Sequence, residues 1–71
     1  MPDKKMYHEI VTDAWNLLKD HMDGADFEKE YQQVKDLEKK YKDKPEFDFA
    51  QDMIVSVMTE INRLYGGVVN G

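Results

Sequence analysis

His8, His21, Thr12, Ser56 and Thr59 are the side chains of this chain that could pair a hydroxyl nucleophile with an imidazole base, since cysteine is absent. A hydroxyl becomes a competent nucleophile only beside a base that takes its proton. Both histidines fall on one predicted helix, 13 residues apart, while Ser56 and Thr59 fall on the polar half of another. Ordinary solvation accounts for these hydroxyls. A phosphate loop is missing too: Gly24 stands alone, and Gly66-Gly67 follows a helix, where a phosphate site must precede one. No residue is assigned a catalytic role, and no cofactor is expected.

Carboxylates could instead hold a metal. Asp20, Asp23 and Asp26 recur every third residue around Gly24. An EF-hand calcium loop needs acids or amides at alternate positions and a bidentate glutamate at its end. Met22 and Gly24 occupy the alternate positions after Asp20, so capping of helix ends explains these aspartates better. Two histidines without cysteine give no zinc framework either, and no metal ligand is assigned. The lysines Lys35, Lys39, Lys40, Lys42 and Lys44 raise the question of nucleic acid. Asp36, Glu38 and Asp43 are interleaved among them, no arginine joins them, and the chain carries a net charge of −5. A nucleic-acid domain shows a dominant basic face, so direct nucleic-acid binding is not expected.

What remains is an acidic edge. At 100° per residue, Glu9, Asp13 and Asp20 project within about 40° of one another, spaced about 6 Å and then about 10 Å along the axis. Glu9 and Asp13 form a like-charge i,i+4 pair that costs a few tenths of a kcal/mol in isolation, and no lysine of the same helix offsets it. Asp23, Asp26 and Glu28 continue the negative charge past the turn, and Tyr31 lies on the next helix as an aromatic anchor. Such an edge suits docking on a basic protein surface, including one built for nucleic-acid phosphate. The plainer reading is a solvated helix face.

These groups need elements to carry them. Asp23-Gly24-Ala25-Asp26 and Asp43-Lys44-Pro45 divide the chain into three helix-length segments, expected over 4–22, 27–42 and 46–65. In the first, Met6, Tyr7, Ile10, Val11, Ala14, Trp15, Leu17, Leu18 and Met22 share one half of the circumference. Asp3 is its predicted N-cap, with Gly24 as the left-handed residue beyond its end. His21 projects near the middle of this face and is read as a core-edge histidine bonded to the last helix carbonyls; His8 is read as a surface residue. The second helix starts after the N-cap Asp26 and carries a narrow stripe of Phe27, Tyr31, Val34, Leu37 and Tyr41. Glu30 and Glu38 lie inside that stripe and would have to extend outward. Asp36–Lys40 and Glu38–Lys42 are expected i,i+4 pairs.

The third segment opens near Pro45, with Asp48 and Gln51 offering a capping box as an alternative start. Ala50, Met53, Ile54, Val57, Met58, Ile61, Leu64 and Tyr65, with Phe47, form a dense apolar face that makes it the hub of the core. Val55, Phe49, Val68 and Val69 suggest a second apolar patch. The fold class expected is all-α: an up-down-up three-helix bundle over 1–65, with 66–71 as a flexible tail. The architectural alternative is a set of helical hairpins completed by dimerisation.

A chain of 71 residues buries only about 60% of its unfolded surface, and small domains usually add disulfides, a metal or a partner. No uncharged run approaches the ~18 residues a spanning helix needs, and cytoplasmic residence is expected, with no membrane contact. Together these features favour a non-enzymatic protein–protein interaction module: a small acidic helical regulator or inhibitor. Its expected contacts are Glu9, Asp13, Asp20, Asp23, Asp26, Glu28 and Tyr31. The competing reading is a self-associating structural subunit, a homo-oligomer.

Overall fold

The computed structural model describes residues 2–66. Three α-helices follow in order, α1 over Lys4–Asp20, α2 over Phe27–Tyr41 and α3 over Phe47–Ile61, with no strand among the described residues. Two of the starts are capped as their sequences predict. The Asp3 carboxylate accepts from the backbone N–H groups of Lys5 and Met6, and that of Asp26 accepts from Lys29, satisfying donors a helix leaves orphaned. The start of α3 differs. Glu46 is its cap and contributes only backbone, while Asp48 sits within the first turn, so the capping box does not form.

Cross-helix contacts fix the topology. Tyr41 and Lys40, late in α2, meet Asp13 and Glu9 of α1, whereas Gln33, earlier in α2, meets Asp20. The two helices therefore run antiparallel. The Tyr7 and Phe49 rings meet at 5.0 Å near the starts of α1 and α3, and the Tyr65 hydroxyl donates to the Met22 carbonyl near their ends, so these helices run parallel. The arrangement is the expected up-down-up bundle.

One apolar cluster joins Ala14, Leu17, Val34, Ile54, Val57 and Ile61; a second joins Ile10, Tyr41 and Ala50 at the other end. The third helix supplies four of these nine buried residues, which makes it the hub.

Several boundaries shift. Helix α1 ends at Asp20 with His21 as its cap, not at 22. Gly24, at a φ of 144°, instead shapes the loop three residues later, in a region that side-chain-bearing residues rarely adopt. The third helix does not stay α-helical to 65. It widens into a π-turn over Asn62–Gly66, which rotates Leu64 and Tyr65 off the buried line and leaves both exposed. Val68 and Val69, and the tail beyond Gly66, lie outside the described residues.

Candidate functional site

The acidic edge does not face open solvent as a free stripe. Lys40 Nζ sits 2.8 Å from both Glu9 Oε2 and Asp13 Oδ2, a single ammonium placed between the two like charges. Asp13 Oδ2 also accepts from the Tyr41 hydroxyl at 2.5 Å. Tyr41 is only 2% exposed, so Asp13 provides the partner that lets this phenol be buried. Burial first, and then the bond to Asp13, pushes the Tyr41 hydroxyl up to about 12. The bonds to Asp13 and Glu9 hold the Lys40 proton more tightly than in a free lysine. The expected Asp36–Lys40 pair is displaced by these stronger partners, and Asp36 accepts from Gln32 instead.

Asp20, the third member of the edge, accepts from Gln33 Nε2 at 2.8 Å, and Gln33 Oε1 in turn lies 2.8 Å from His21 Nε2. The Asp26 backbone N–H points at His21 Nδ1 at 3.3 Å. A backbone N–H can only donate, so Nδ1 is the acceptor and Nε2 carries the proton. His21, fully buried, is thus not bonded to the last carbonyls of α1. It ties the loop and the start of α2 to the end of α1, and it is a structural strut.

The remaining expected contacts scatter. Asp26 is consumed as the α2 cap, while Asp23 and Glu28 are exposed near the same end. Tyr31 is 63% exposed, with the Lys35 ammonium 5.3 Å from its ring centroid. Tyr41, the other edge of the α2 stripe, is inaccessible. Glu30 does not extend outward. It is buried, and its Oε2 has no hydrogen-bond partner among the described residues. Burial raises its carboxyl above the ordinary range, with the nearby His21 opposing that shift. Glu38 stays half-buried. His8, Ser56 and Thr59 are exposed, as their positions predict.

The larger departure lies on α1. Of its eight apolar residues only Ile10, Ala14 and Leu17 are buried. Tyr7, Val11, Trp15 and Met22 are 37%, 45%, 49% and 48% exposed. On the helical wheel Tyr7, Val11, Trp15 and half-buried Leu18 span about 80°, beside the core line and on the side facing α3, and Met22 follows in the turn beyond the helix end. Phe49 and Met53 of α3, both half-buried, continue the strip across the α1–α3 groove. Large side chains half-exposed along the full length of a helix form a contiguous apolar strip of the kind that marks an interaction site.

Two open grooves also run along α2, one of about 420 Å³ against Phe47 and Gln51, one of about 250 Å³ between Asp13, Asp20, Gln33 and Lys40. Both are lined mainly by polar side chains that already pair with one another or meet solvent, which makes them poor enclosures for a small molecule.

Sequence reasoning missed Lys40, Tyr41 and Gln33 as partners of the edge. The signal was present: in an up-down-up bundle the antiparallel register of α2 carries its α1-facing flank, Gln33 and Lys40, past the acids of α1. No known protein family matches this chain, and no curated protein or solved structure is detectably similar to it.

Proposed function

We propose that this protein is a non-enzymatic protein–protein interaction module, a small helical regulator that docks on a protein partner through the outer face of α1 and α3. One observation carries the reading: Tyr7, Val11, Trp15 and Met22 form an exposed apolar strip in a protein whose acidic edge is already occupied by its own Lys40, Tyr41 and Gln33. Aromatic and methionine side chains are the usual anchors of such contacts. Residence in the cytoplasm belongs to the same reading; among the described residues no helix is long and apolar enough to cross a membrane.

The narrower version, an inhibitor of a basic nucleic-acid-binding surface, draws its support from the acidic end, where Asp23 and Glu28 are exposed. Reversing both to lysine tests it, because steering by this end then weakens and partner association slows. The main reading is tested by placing a photo-crosslinking amino acid at position 15, or at position 32 on the opposite side of the bundle, in the cells that make the protein. Position 15 should yield a discrete protein adduct and position 32 none. Adducts from position 32 alone would move the docking site to another face.

A further inference from the structure

The outer face of α1 and α3 is bordered by charges of opposite sign. On α1 the strip is flanked by Lys4 and Lys19, with no acid in that arc; on α3 it is flanked by Asp52 and Glu60. Glu60 also pairs with Arg63 of the π-turn that follows α3, and Asp52 is free of any ion pair among the described residues. Heights along the helices match at one end. Counted from the Tyr7–Phe49 ring contact, Lys19 and Glu60 lie twelve and eleven residues along, while Lys4 lies three before it and Asp52 three after. At about 1.5 Å per residue, Lys19 and Glu60 are level to within about 2 Å, and Lys4 and Asp52 are offset by about 9 Å.

We infer that the occupant of this face is a second copy of the chain, in an isologous dimer whose two-fold axis runs parallel to α1 and α3. A face carrying two parallel helices can meet its own copy about either of two in-plane axes. An axis across the helices stacks α1 on α1, lysine rim against lysine rim, and acid against acid. An axis along the helices stacks α1 on α3 of the second copy, and each basic rim then meets an acidic one, with Lys19 level with Glu60. Self-complementarity of this kind is what a closed two-fold interface requires, and like-charge opposition disfavours the alternative. Trp15, the bulkiest side chain of the strip, becomes the main apolar anchor. The inference rests on the docking reading above and specifies its partner.

Sedimentation equilibrium of the purified full chain, from micromolar to millimolar concentration, tests it. The expected mass rises from 8.4 kDa to twice that value. Trp15→Glu should raise the dissociation constant at least tenfold with helicity unchanged. The rim variants provide a test that leaves the apolar strip intact. A chain with Lys4→Glu and Lys19→Glu has only acidic rims, and one with Asp52→Lys and Glu60→Lys only basic rims. Each should be monomeric alone, and the two should dimerise when mixed in equal amounts. A wild-type monomer at millimolar concentration, or rim variants that each dimerise as the wild type does, would overturn the inference. If the wild type is monomeric while the position-15 crosslinker still captures a different protein, the face is a docking site for that protein and only the second copy is rejected.

Discussion

Replacing Asp13 with alanine should destabilise the protein more than deleting the hydroxyl it serves. The Tyr41 phenol is buried, and its oxygen lies 2.5 Å from Asp13 Oδ2. Asp13→Ala strands that hydroxyl without a partner, which costs about 1–3 kcal/mol. Loss of the Lys40 contact, whose ammonium is about half exposed, adds at most ~1 kcal/mol. Alanine recovers roughly 0.6 kcal/mol of helix propensity, so the net loss is about 2 kcal/mol. At about 4–8 °C per kcal/mol for a domain of this size, Tm should fall by roughly 8–16 °C. Tyr41→Phe removes the hydroxyl and leaves Asp13 with Lys40 and solvent, a loss of about 1 kcal/mol. The double variant has no stranded hydroxyl and should therefore be more stable than Asp13→Ala alone, at a net loss of about 1 kcal/mol, which corresponds to a coupling energy of about 2 kcal/mol. Thermal and urea unfolding of the four proteins by circular dichroism measures the cycle. Strict additivity, or a further drop in Tm when Tyr41→Phe is added to Asp13→Ala, would refute the assignment of Asp13 as the partner that permits burial of Tyr41.

Three further outcomes follow from individual contacts. Folding raises the Tyr41 hydroxyl to about 12, so the folded state binds this proton more tightly than the unfolded chain. The stabilisation is complete below the unfolded value of about 10 and is lost as the pH climbs toward 12, at ~1.4 kcal/mol per unit. Ultraviolet titration should show one of the four tyrosines ionising late, and Tyr41→Phe should remove that step. Glu30 is likewise raised by burial; its charged form opposes folding above the ordinary carboxylate range, and its protonated form does not. Glu30→Leu should therefore stabilise the protein at pH 7 by about 1 kcal/mol, read as a higher urea midpoint, with the gain shrinking as the pH falls through that range. For His21, long-range nitrogen–proton correlation spectra should show the proton on Nε2 and none on Nδ1, and Gln33→Ala should loosen the 21–26 loop in hydrogen exchange.

Much of the fold was readable because its signals are local and mutually consistent. Asp3 and Asp26 announce two helix starts, Gly24 and Pro45 mark the breaks, and Ile10, Ala14 and Leu17 with Ala50, Ile54, Val57 and Ile61 keep a 3.6-residue rhythm. The details that escaped are those set by a neighbouring helix. A half-circumference apolar face on α1 cannot reveal which part is covered, because two neighbouring helices cover only the strip that includes Ile10, Ala14 and Leu17. The acidic residues Glu9, Asp13 and Asp20 share one edge, yet the partners of Asp13 sit 27 and 28 residues away and that of Asp20 sits 13 away. Periodicity within one helix contains no register between helices. His21 was placed in the core by its wheel position, but its bonds to Gln33 and Asp26 depend on the path of the loop that Gly24 turns. The end of α3 failed for a related reason: its residues favour a continuing helix, while the π-turn aligns Tyr65 with the Met22 carbonyl.

Trp15, the only tryptophan of the chain, reports directly on whether the outer face of α1 and α3 is a working surface. Incorporating 5-fluorotryptophan gives one fluorine resonance, which can be followed in dilute purified protein, in concentrated protein and in extract of the producing cells. The signal should be sharp and solvent-exposed when dilute, and shifted or broadened when a partner or a second copy covers the ring. A resonance that keeps its dilute position and width under all three conditions would contradict a working role for this face.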